Sequence, residues 1–162
     1  MRILVLSDSH SSIWFMRRCV QCLHPQAVVH LGDYYDDGQT LQEEYPGISF
    51  YAVPGNCDKY RCPPDAPLCL CYAVGGVRML MTHGHTFYVK SGTGALTAEA
   101  RRLGAKAALY GHTHQAQCVQ QEDGLWVVNP GSAGHSAAVV ETDGEKITAC
   151  RIITEAELED IL

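Results

Sequence analysis

Residues 1–10 have the sequence MRILVLSDSH, a short apolar run that stops at a polar cluster. Four consecutive apolar residues, from Ile3 to Leu6, are typical of a strand that is buried on both faces of a parallel sheet. The cluster Ser7-Asp8-Ser9-His10 places a carboxylate and an imidazole where this strand ends. In α/β sheets the carboxyl ends of the strands are where ligands bind. The opening stretch therefore predicts an α/β fold with a polar site at one sheet edge.

The following segments continue an alternation of strands and helices. Apolar residues at helical spacing predict a helix over 13–23, and Ser11 or Ser12 is positioned to cap it. Apolar runs at 27–31 and 48–53 predict two further strands, with a helix expected between them. This order favours parallel strands joined by helical crossovers.

Turn signals predict that the second half contains antiparallel strand pairs. Gly75-Gly76, Asp123-Gly124 and Asp143-Gly144 each separate two strand-like runs. Thr154 and Glu157 have the spacing of a capping box that opens a C-terminal helix. The predicted elements are a helix at 93–103 and strands at 68–74, 77–82, 107–110, 115–121, 125–129, 137–142 and 146–153. Together the two halves predict two sheets packed face to face with helices outside.

Length and composition fit one globular domain, which we place at 1–162. The chain has 162 residues, of which 46% are hydrophobic and 19% charged. Its net charge of −6 provides no basic surface for nucleic acid or an anionic membrane. No apolar run is long enough to span a membrane or to act as a signal peptide. We therefore expect a cytoplasmic protein without nucleic-acid or membrane partners, whose eight cysteines remain thiols.

Polar clusters follow five of the predicted strands. Each contains Asp, Asn or His beside glycine, serine or threonine: Ser7-Asp8-Ser9-His10, Gly32-Asp33, Gly55-Asn56-Cys57-Asp58, Thr82-His83-Gly84-His85 and Gly111-His112-Thr113-His114. One such cluster alone is more often a helix cap, a surface loop or a hydrogen-bonded core histidine. Five clusters, each directly after an apolar run, favour a shared site at the strand ends.

The residue types in these clusters indicate a metal centre. Carboxylates, an amide carbonyl and neutral imidazoles are ligands for divalent Mn, Fe, Co, Ni or Zn. Six or seven such donors exceed the needs of one tetrahedral ion, so we expect two ions with one bridging carboxylate. Two ions about 3.5–4 Å apart form the clamp used for in-line displacement at phosphorus. A water between them would lose a proton and become the nucleophile.

The order of the motifs resembles the calcineurin-like metallophosphoesterase superfamily. The matching blocks are D-x-H, G-D, G-N, H-G-H and G-H-x-H, and they extend from Asp8 to Ser132. The short length, G-N-C-D and N-P-G-S are similar to the small single-domain phosphodiesterases of the YfcE group. The resemblance implies a four-layer α/β/β/α sandwich of two mixed sheets with flanking helices. It also implies a dinuclear metal-dependent phosphoesterase, most simply a phosphodiesterase.

The resemblance further implies a role for each matching residue. One ion would be held by Asp8, His10 and His114, and the other by Asn56, His83 and His112. Asp33 would bridge both ions. Catalysis would involve Asp33, Asn56 and His83, and substrate binding would involve Asn56, His85 and Ser132. The expected metal is Mn²⁺, with Fe, Zn, Ni and Co as alternatives, and the expected partner is a small phosphate ester, with a homo-oligomer possible.

Two features near these motifs leave alternatives open. Cys57 stands where many family members carry a histidine after the asparagine, and a thiol with a free pKa near ~8.5 is a poor proton donor at neutral pH. The chain would then use another donor, water, or substrates with good leaving groups. Asp36, Asp37 and Asp58 are candidate hydrogen-bond acceptors for metal-bound histidines. A solvated loop or helix start is the alternative for Asp36 and Asp37.

Two other functions compete with the enzyme. The small retromer subunit of eukaryotes shares the implied fold, but altered ligands have made its site non-catalytic, so a metal-binding scaffold is the alternative. The presence of both Asp33 and Asn56 favours the enzyme. A nuclease is disfavoured by the acidic charge and by the lack of a basic, aromatic-rich tract. Because no long insertion is available to cover the site, we expect an open and shallow pocket.

Overall fold

The computed structural model describes residues 1–161, within which ten strands and four α-helices form four layers. The strands are β1 (Arg2–Leu6), β2 (Ala27–His30), β3 (Ser49–Ala52), β4 (Cys69–Val74), β5 (Val77–Thr82), β6 (Ala107–Leu109), β7 (Gln117–Gln120), β8 (Trp126–Asn129), β9 (Ser136–Thr142) and β10 (Ile147–Thr154). The helices are α1 (Ile13–Leu23), α2 (Tyr35–Glu44), α3 (Gly94–Arg102) and α4 (Glu155–Ile161). Two short 3₁₀ turns at His85–Phe87 and Val89–Ser91 were not predicted from the sequence.

The strands form two mixed sheets of five strands each. The first has the order β10-β9-β1-β2-β3, in which β1, β2 and β3 are parallel. The second has the order β4-β5-β6-β8-β7, in which β5, β6 and β8 are parallel. The hairpins β4–β5, β7–β8 and β9–β10 are antiparallel, as the three turn signals predict. The parallel strands of each sheet therefore end together at one edge.

The strand β1 shows why the two sheets stack. Ile3 and Val5 point into the core between the sheets, whereas Leu4 and Leu6 point into the core beneath the helices. All four are fully buried, which confirms a strand covered on both faces. Burying one such side chain stabilises the fold by about 1.5–3 kcal/mol, so an apolar run in a central strand contributes strongly.

The helices cover the outer faces of both sheets. On the first sheet α1 buries Phe15 and Met16, while α2 and α4 contribute Leu41 and Leu158 to the same core. On the second sheet α3 buries Leu96 and Ala100. The four-layer α/β/β/α sandwich expected from the motifs is therefore confirmed. No helix in residues 1–161 combines the length and apolar character needed to cross a membrane.

The helix starts agree only partly with the sequence. Thr154 and Glu157 form the predicted capping box, in which the Thr154 N–H donates to the Glu157 carboxylate at 2.7 Å and the Glu157 N–H donates to the Thr154 hydroxyl at 3.4 Å. At α1 the prediction of a serine cap is confirmed for the position of the residue but not for its hydrogen bond. Ser12 occupies the cap position, but its hydroxyl makes no capping hydrogen bond.

The expectation that all cysteines remain thiols is also wrong. Cys118 and Cys150 are disulfide-bonded, with their Cα atoms 6.5 Å apart. Cys118 lies on β7 and Cys150 on β10, which are edge strands of different sheets. Their sulfurs meet because the two sheets pack with these edges together, a contact that no local sequence pattern contains.

Candidate metal centre

The loops that follow the parallel strands of both sheets meet at one place. Asp8 follows β1, Asp33 follows β2, and Asn56 lies in the loop after β3. His83 follows β5, and His112 follows β6. These positions confirm that the polar clusters converge at the carboxyl edge of the strands.

Donor atoms from this edge form two overlapping groups. Atoms of Asp8, His10 and His114 lie within 4.8 Å of one another, and so do atoms of Asp8, Asp33 and His83. The family resemblance implies Asp8 as a ligand of one ion and Asp33 as a ligand of both. In the structure Asp8 lies between His114 and His83, and Asp33 lies between His83 and His10.

The distances show how the carboxylates are placed. Asp8 Oδ1 lies 3.0 Å from His114 Nε2 and 3.8 Å from His83 Nε2. Asp33 Oδ2 lies 3.6 Å from His83 Nε2 and 4.0 Å from His10 Nε2. His112 joins the second group through its Nδ1, which is 3.2 Å from His83 Nε2.

The loop that carries Asn56 is tied to the centre through its backbone. The next residue, Cys57, donates its backbone N–H to Asp33 Oδ1 at 3.0 Å, which ties the loop after β3 to the loop after β2. The Asn56 side chain is exposed, and its amide lies 3.6 Å from the Cys57 sulfur. The assignment of Asn56 as a ligand stays a prediction.

The environment of His83 suits a cation. Its Nδ1 lies 2.7 Å from the carbonyl oxygen of Leu31, and because a carbonyl only accepts, this ring nitrogen must donate. In the neutral ring Nε2 then carries a lone pair, and this lone pair faces the oxygens of Asp8 and Asp33.

His83 and Asp8 are fully buried and Asp33 is 4% exposed. Among the described residues, neither carboxylate pairs with a lysine or arginine. Buried charges need partners, and the basic side chains close to these two carboxylates are all histidines.

Electrostatics favour the metal-binding forms of two predicted ligands, Asp33 and His112. Burial raises the pKa of Asp33, but the Cys57 N–H and the nearby His83 outweigh it and leave this pKa below its ordinary value. Burial, with a smaller effect of His83, lowers the pKa of His112 and of His85. Ionised carboxylates and neutral imidazoles are the states in which these side chains coordinate metals. The donor set therefore fits divalent ions.

The backbone at the centre adopts an uncommon conformation. Non-glycine residues with positive φ are rare and cluster at functional sites. Five predicted ligands have positive φ, namely Asp8, His10, Asp33, His112 and His114. At Gly32, with a φ of +94°, a Cβ would lie 2.3 Å from the backbone nitrogen of Gly55. Only glycine allows these two loops to approach so closely.

Asp58 holds two loops of the centre together through backbone hydrogen bonds, a role that the sequence analysis did not predict. Its fully buried carboxylate accepts the backbone N–H groups of Asp33 at 2.9 Å, Tyr34 at 2.7 Å, Tyr35 at 3.1 Å and Gly55 at 2.7 Å. It therefore fixes the loops that carry Asp33 and Asn56. An aspartate two residues after the asparagine of a G-N motif is the sequence signal that could have suggested this role.

For Asp58 the predicted role as an acceptor for a histidine is wrong, and for Asp36 and Asp37 the alternative of a helix start is confirmed, because both lie in the first turn of α2. Asp58 binds backbone N–H groups, Asp36 pairs with Arg61 at 3.0 Å, and Asp37 accepts the Ser11 N–H at 2.8 Å. The acceptor that orients His83 is instead the backbone carbonyl of Leu31. Main-chain acceptors of this kind carry no side-chain signal in the sequence.

The two weaker site candidates differ in their surroundings. His85 lies beside the centre, with its ring 5.4 Å from that of His83 and 6.1 Å from that of His112, centroid to centroid. Its Nδ1 is buried and has no hydrogen-bonding partner among the described residues. Ser132 donates its hydroxyl to the Asp8 carbonyl at 2.9 Å, so this side chain braces the loop after β1. Their roles toward substrate stay predictions.

Comparisons with known proteins identify the family and agree with the fold. A family model for the calcineurin-like phosphoesterase superfamily domain matches residues 1–156. The chain is 30% identical over 135 residues to the probable metallophosphoesterase YsnB of Bacillus subtilis, covering 82% of this chain and 75% of that protein. The Zn²⁺ complex of Vps29 from Entamoeba histolytica has the same fold, with a TM-score of 0.72 and 18% identity over 95% of this chain and 99% of that one. YfcE, a phosphoesterase from E. coli, superposes with a TM-score of 0.62 and 21% identity over 93% of this chain and 98% of that one. With the family model covering nearly the whole chain and the histidine and carboxylate donors gathered at one edge, the protein belongs to the calcineurin-like phosphoesterase superfamily.

Proposed function

We propose that the protein is a phosphodiesterase that depends on two divalent metal ions, most simply Mn²⁺. The observation that supports this most directly is the surroundings of His83 Nε2. A lone pair and two buried carboxylates lie together, with no lysine or arginine paired to either carboxylate in the part of the chain that the structure describes. Cations would stabilise such a group of electron-rich atoms, because buried charges without ionic partners are costly.

The donors divide between two ions. Asp8, His10 and His114 would hold one ion, and Asn56, His83 and His112 would hold the other. Asp33 would bridge them, and Asp8 lies in a position to contribute to both. When bound, divalent ions supply Lewis acidity toward a phosphoryl oxygen and lower the pKa of water.

The chain's own residues contribute position and charge. The Leu31 carbonyl holds the His83 ring in one tautomer, and the Cys57 N–H holds Asp33 in one orientation. Two carboxylates with two divalent ions leave the centre positive within a protein of net charge −6. A phosphate diester would therefore bind at this edge, where Asn56 and His85 would contact it.

Metal loading and turnover test this proposal together. The metal-free protein is reconstituted with Mn²⁺, and its metal content is measured by elemental analysis. We expect about two ions per chain and hydrolysis of bis(p-nitrophenyl) phosphate that chelation abolishes. p-Nitrophenyl phosphate serves as the monoester comparison. A faster rate on the monoester would retain the phosphoesterase but contradict the diester preference, and a maximum of one ion would contradict the dinuclear centre.

A metal-binding scaffold is the second candidate function. The solved Zn²⁺ complex of Vps29 shows that a protein of this fold has been obtained with a metal. The same experiment separates the two functions, because a scaffold would take up metal without hydrolysing either ester. Turnover that depends on metal supports the enzyme.

We expect Cys57 to contribute little to catalysis. Burial and the nearby Asp33 raise the pKa of this thiol, so it is a weaker acid than an ordinary cysteine. The Cys57→Ser variant should keep its rate on aryl diesters within about tenfold, since general acid catalysis is worth about 10²–10⁴-fold where it operates. Cys62→Ser is the matched control, because Cys62 lines the same surface without following a predicted ligand. Loss of turnover in Cys57→Ser with both ions bound would show that the thiol is catalytic.

A further inference from the structure

A polar cavity adjoins the metal centre and has no role in the function proposed so far. It has a volume of about 770 Å³ and lies between residues 89–93 and 113–117, with Tyr110 in its wall. A volume between 300 and 1,000 Å³ is typical of sites that bind small molecules. The wall includes Thr113, which stands between the predicted ligands His112 and His114. Thr113 thus links the cavity to the metal centre along the chain, so a molecule with its phosphorus at the centre would lie near this wall.

The charge of the cavity is opposite to that of the protein as a whole. Lys90 supplies a positive charge, and none of the described residues that line the cavity is acidic, although the chain has 18 acidic and 12 basic residues. Lys90 is exposed and forms no ion pair with the described carboxylates. Its ammonium group is therefore available to an anion from solution.

The remaining side chains of the wall suit a polar organic group. Ser91 and Thr93 carry hydroxyls, and Gln115 and Gln117 carry amides. Two wall residues are held in place, because Asn129 donates to the Thr113 hydroxyl at 2.9 Å and Tyr110 donates to Gln117 Oε1 at 2.5 Å. Groups that donate and accept hydrogen bonds in fixed positions favour the hydroxyls of a sugar over an apolar chain.

A second cavity beside the centre lacks this available charge. It has a volume of about 780 Å³ and is lined by Cys57, Tyr60 and Arg61. There Arg61 is paired with Asp36 at 3.0 Å and stacked on the ring of Tyr34, 3.7 Å from its centroid. The charge of Arg61 is thus already paired with that of Asp36. The first cavity, lined by Lys90 and called the Lys90 cavity from here on, is therefore the place for an anion.

We propose that the Lys90 cavity binds the organic group of the substrate and that Lys90 binds a second anionic group on it. This rests on the proposed phosphodiesterase function and narrows its substrates to diesters of a sugar or nucleoside that carries a further phosphate. Lys90 is here a specificity-determining residue, since it contacts the substrate away from the reacting phosphorus.

Two matched esters test the proposal on the metal-loaded protein. Both are p-nitrophenyl esters of thymidine 3′-phosphate, and they differ only in whether the 5′-hydroxyl carries a phosphate. For the wild-type protein we expect kcat/KM to be about tenfold higher when the 5′-phosphate is present, as for one added hydrogen bond between charged groups. Lys90→Ala should bring this ratio close to one, Lys90→Glu should invert it, and Lys90→Arg should retain most of it.

The control is Lys106→Ala, which removes an exposed lysine from the opposite end of β6 and should leave the ratio unchanged. A second readout is the Kd of thymidine 3′,5′-bisphosphate and of thymidine 3′-phosphate, measured by calorimetry for each variant. If the wild-type protein hydrolyses the esters with a ratio near one, or if Lys90→Ala keeps the ratio, the assignment of Lys90 is wrong and the proposed function stands. If no ester is hydrolysed, the proposed function fails, and equal affinity for the two thymidine phosphates would then reject the anion site as well.

Discussion

Replacing Asp33 with asparagine should lower the metal-dependent rate by more than about a hundredfold while the protein stays folded. Changes to residues that merely orient metal ligands typically cost 10–100-fold, so the loss of a shared ligand should cost at least as much. Asp33 Oδ2 is the oxygen that faces His83 at 3.6 Å and His10 at 4.0 Å. In Asp33→Asn an uncharged amide replaces the carboxylate between the two groups of donors, so the occupancy of both metal positions should fall.

The fold of this variant should be retained because the other oxygen keeps its contact. Asp33 Oδ1 accepts the Cys57 N–H at 3.0 Å, and the amide oxygen of asparagine can accept the same hydrogen bond. Circular dichroism and urea unfolding check the fold, and elemental analysis checks the metals. Asp123→Asn is the control, since Asp123 is exposed in the turn between β7 and β8. Activity within tenfold of wild type at saturating metal would refute the assignment of Asp33.

Removing the carboxylate of Asp58 should lower the free energy of unfolding more than removing the exposed carboxylate of Asp143. In Asp58→Ala four backbone N–H groups lose their acceptor, those of Asp33, Tyr34, Tyr35 and Gly55. A buried donor without a partner costs about 1–3 kcal/mol, although part of this cost is recovered where water enters. We expect the free energy of unfolding to fall by about 3–5 kcal/mol, a large part of the 5–15 kcal/mol typical of a domain.

Urea unfolding monitored by circular dichroism measures this loss. Asp143→Ala is a matched control, because Asp143 also accepts two backbone N–H groups, at 3.0 and 2.9 Å, but in an exposed turn where water can replace it. The free energy of unfolding of Asp143→Ala should fall by less than about 1 kcal/mol. Asp58→Asn keeps one acceptor oxygen and should lie between wild type and Asp58→Ala. Equal stability of Asp58→Ala and Asp143→Ala would show that the four hydrogen bonds do not brace the loops.

The sequence predicted the elements and the positions of the site residues because both have local signals. The apolar run from Ile3 to Leu6 predicts a strand buried on two sides, and its alternating side chains do enter two different cores. The three turn pairs predict hairpins, which the structure confirms. Polar clusters directly after apolar runs predict that Asp8, Asp33 and His83 meet, because parallel strands end at a common edge.

The tertiary structure decided which atoms meet within that edge and between the two sheets. Asp8 lies between His114 and His83. This position depends on how far the loops after β1 and β5 reach toward each other across the stacked sheets. The acceptor for His83 is the carbonyl of Leu31, and the partners of Asp58 are backbone N–H groups. Every residue has such main-chain groups, so the sequence does not distinguish the ones that are used. Cys118 and Cys150 are brought together by edge strands of two sheets that share no local pattern. Periodicity and turn chemistry are properties of neighbouring residues, whereas these contacts depend on the packing of segments that are distant along the chain.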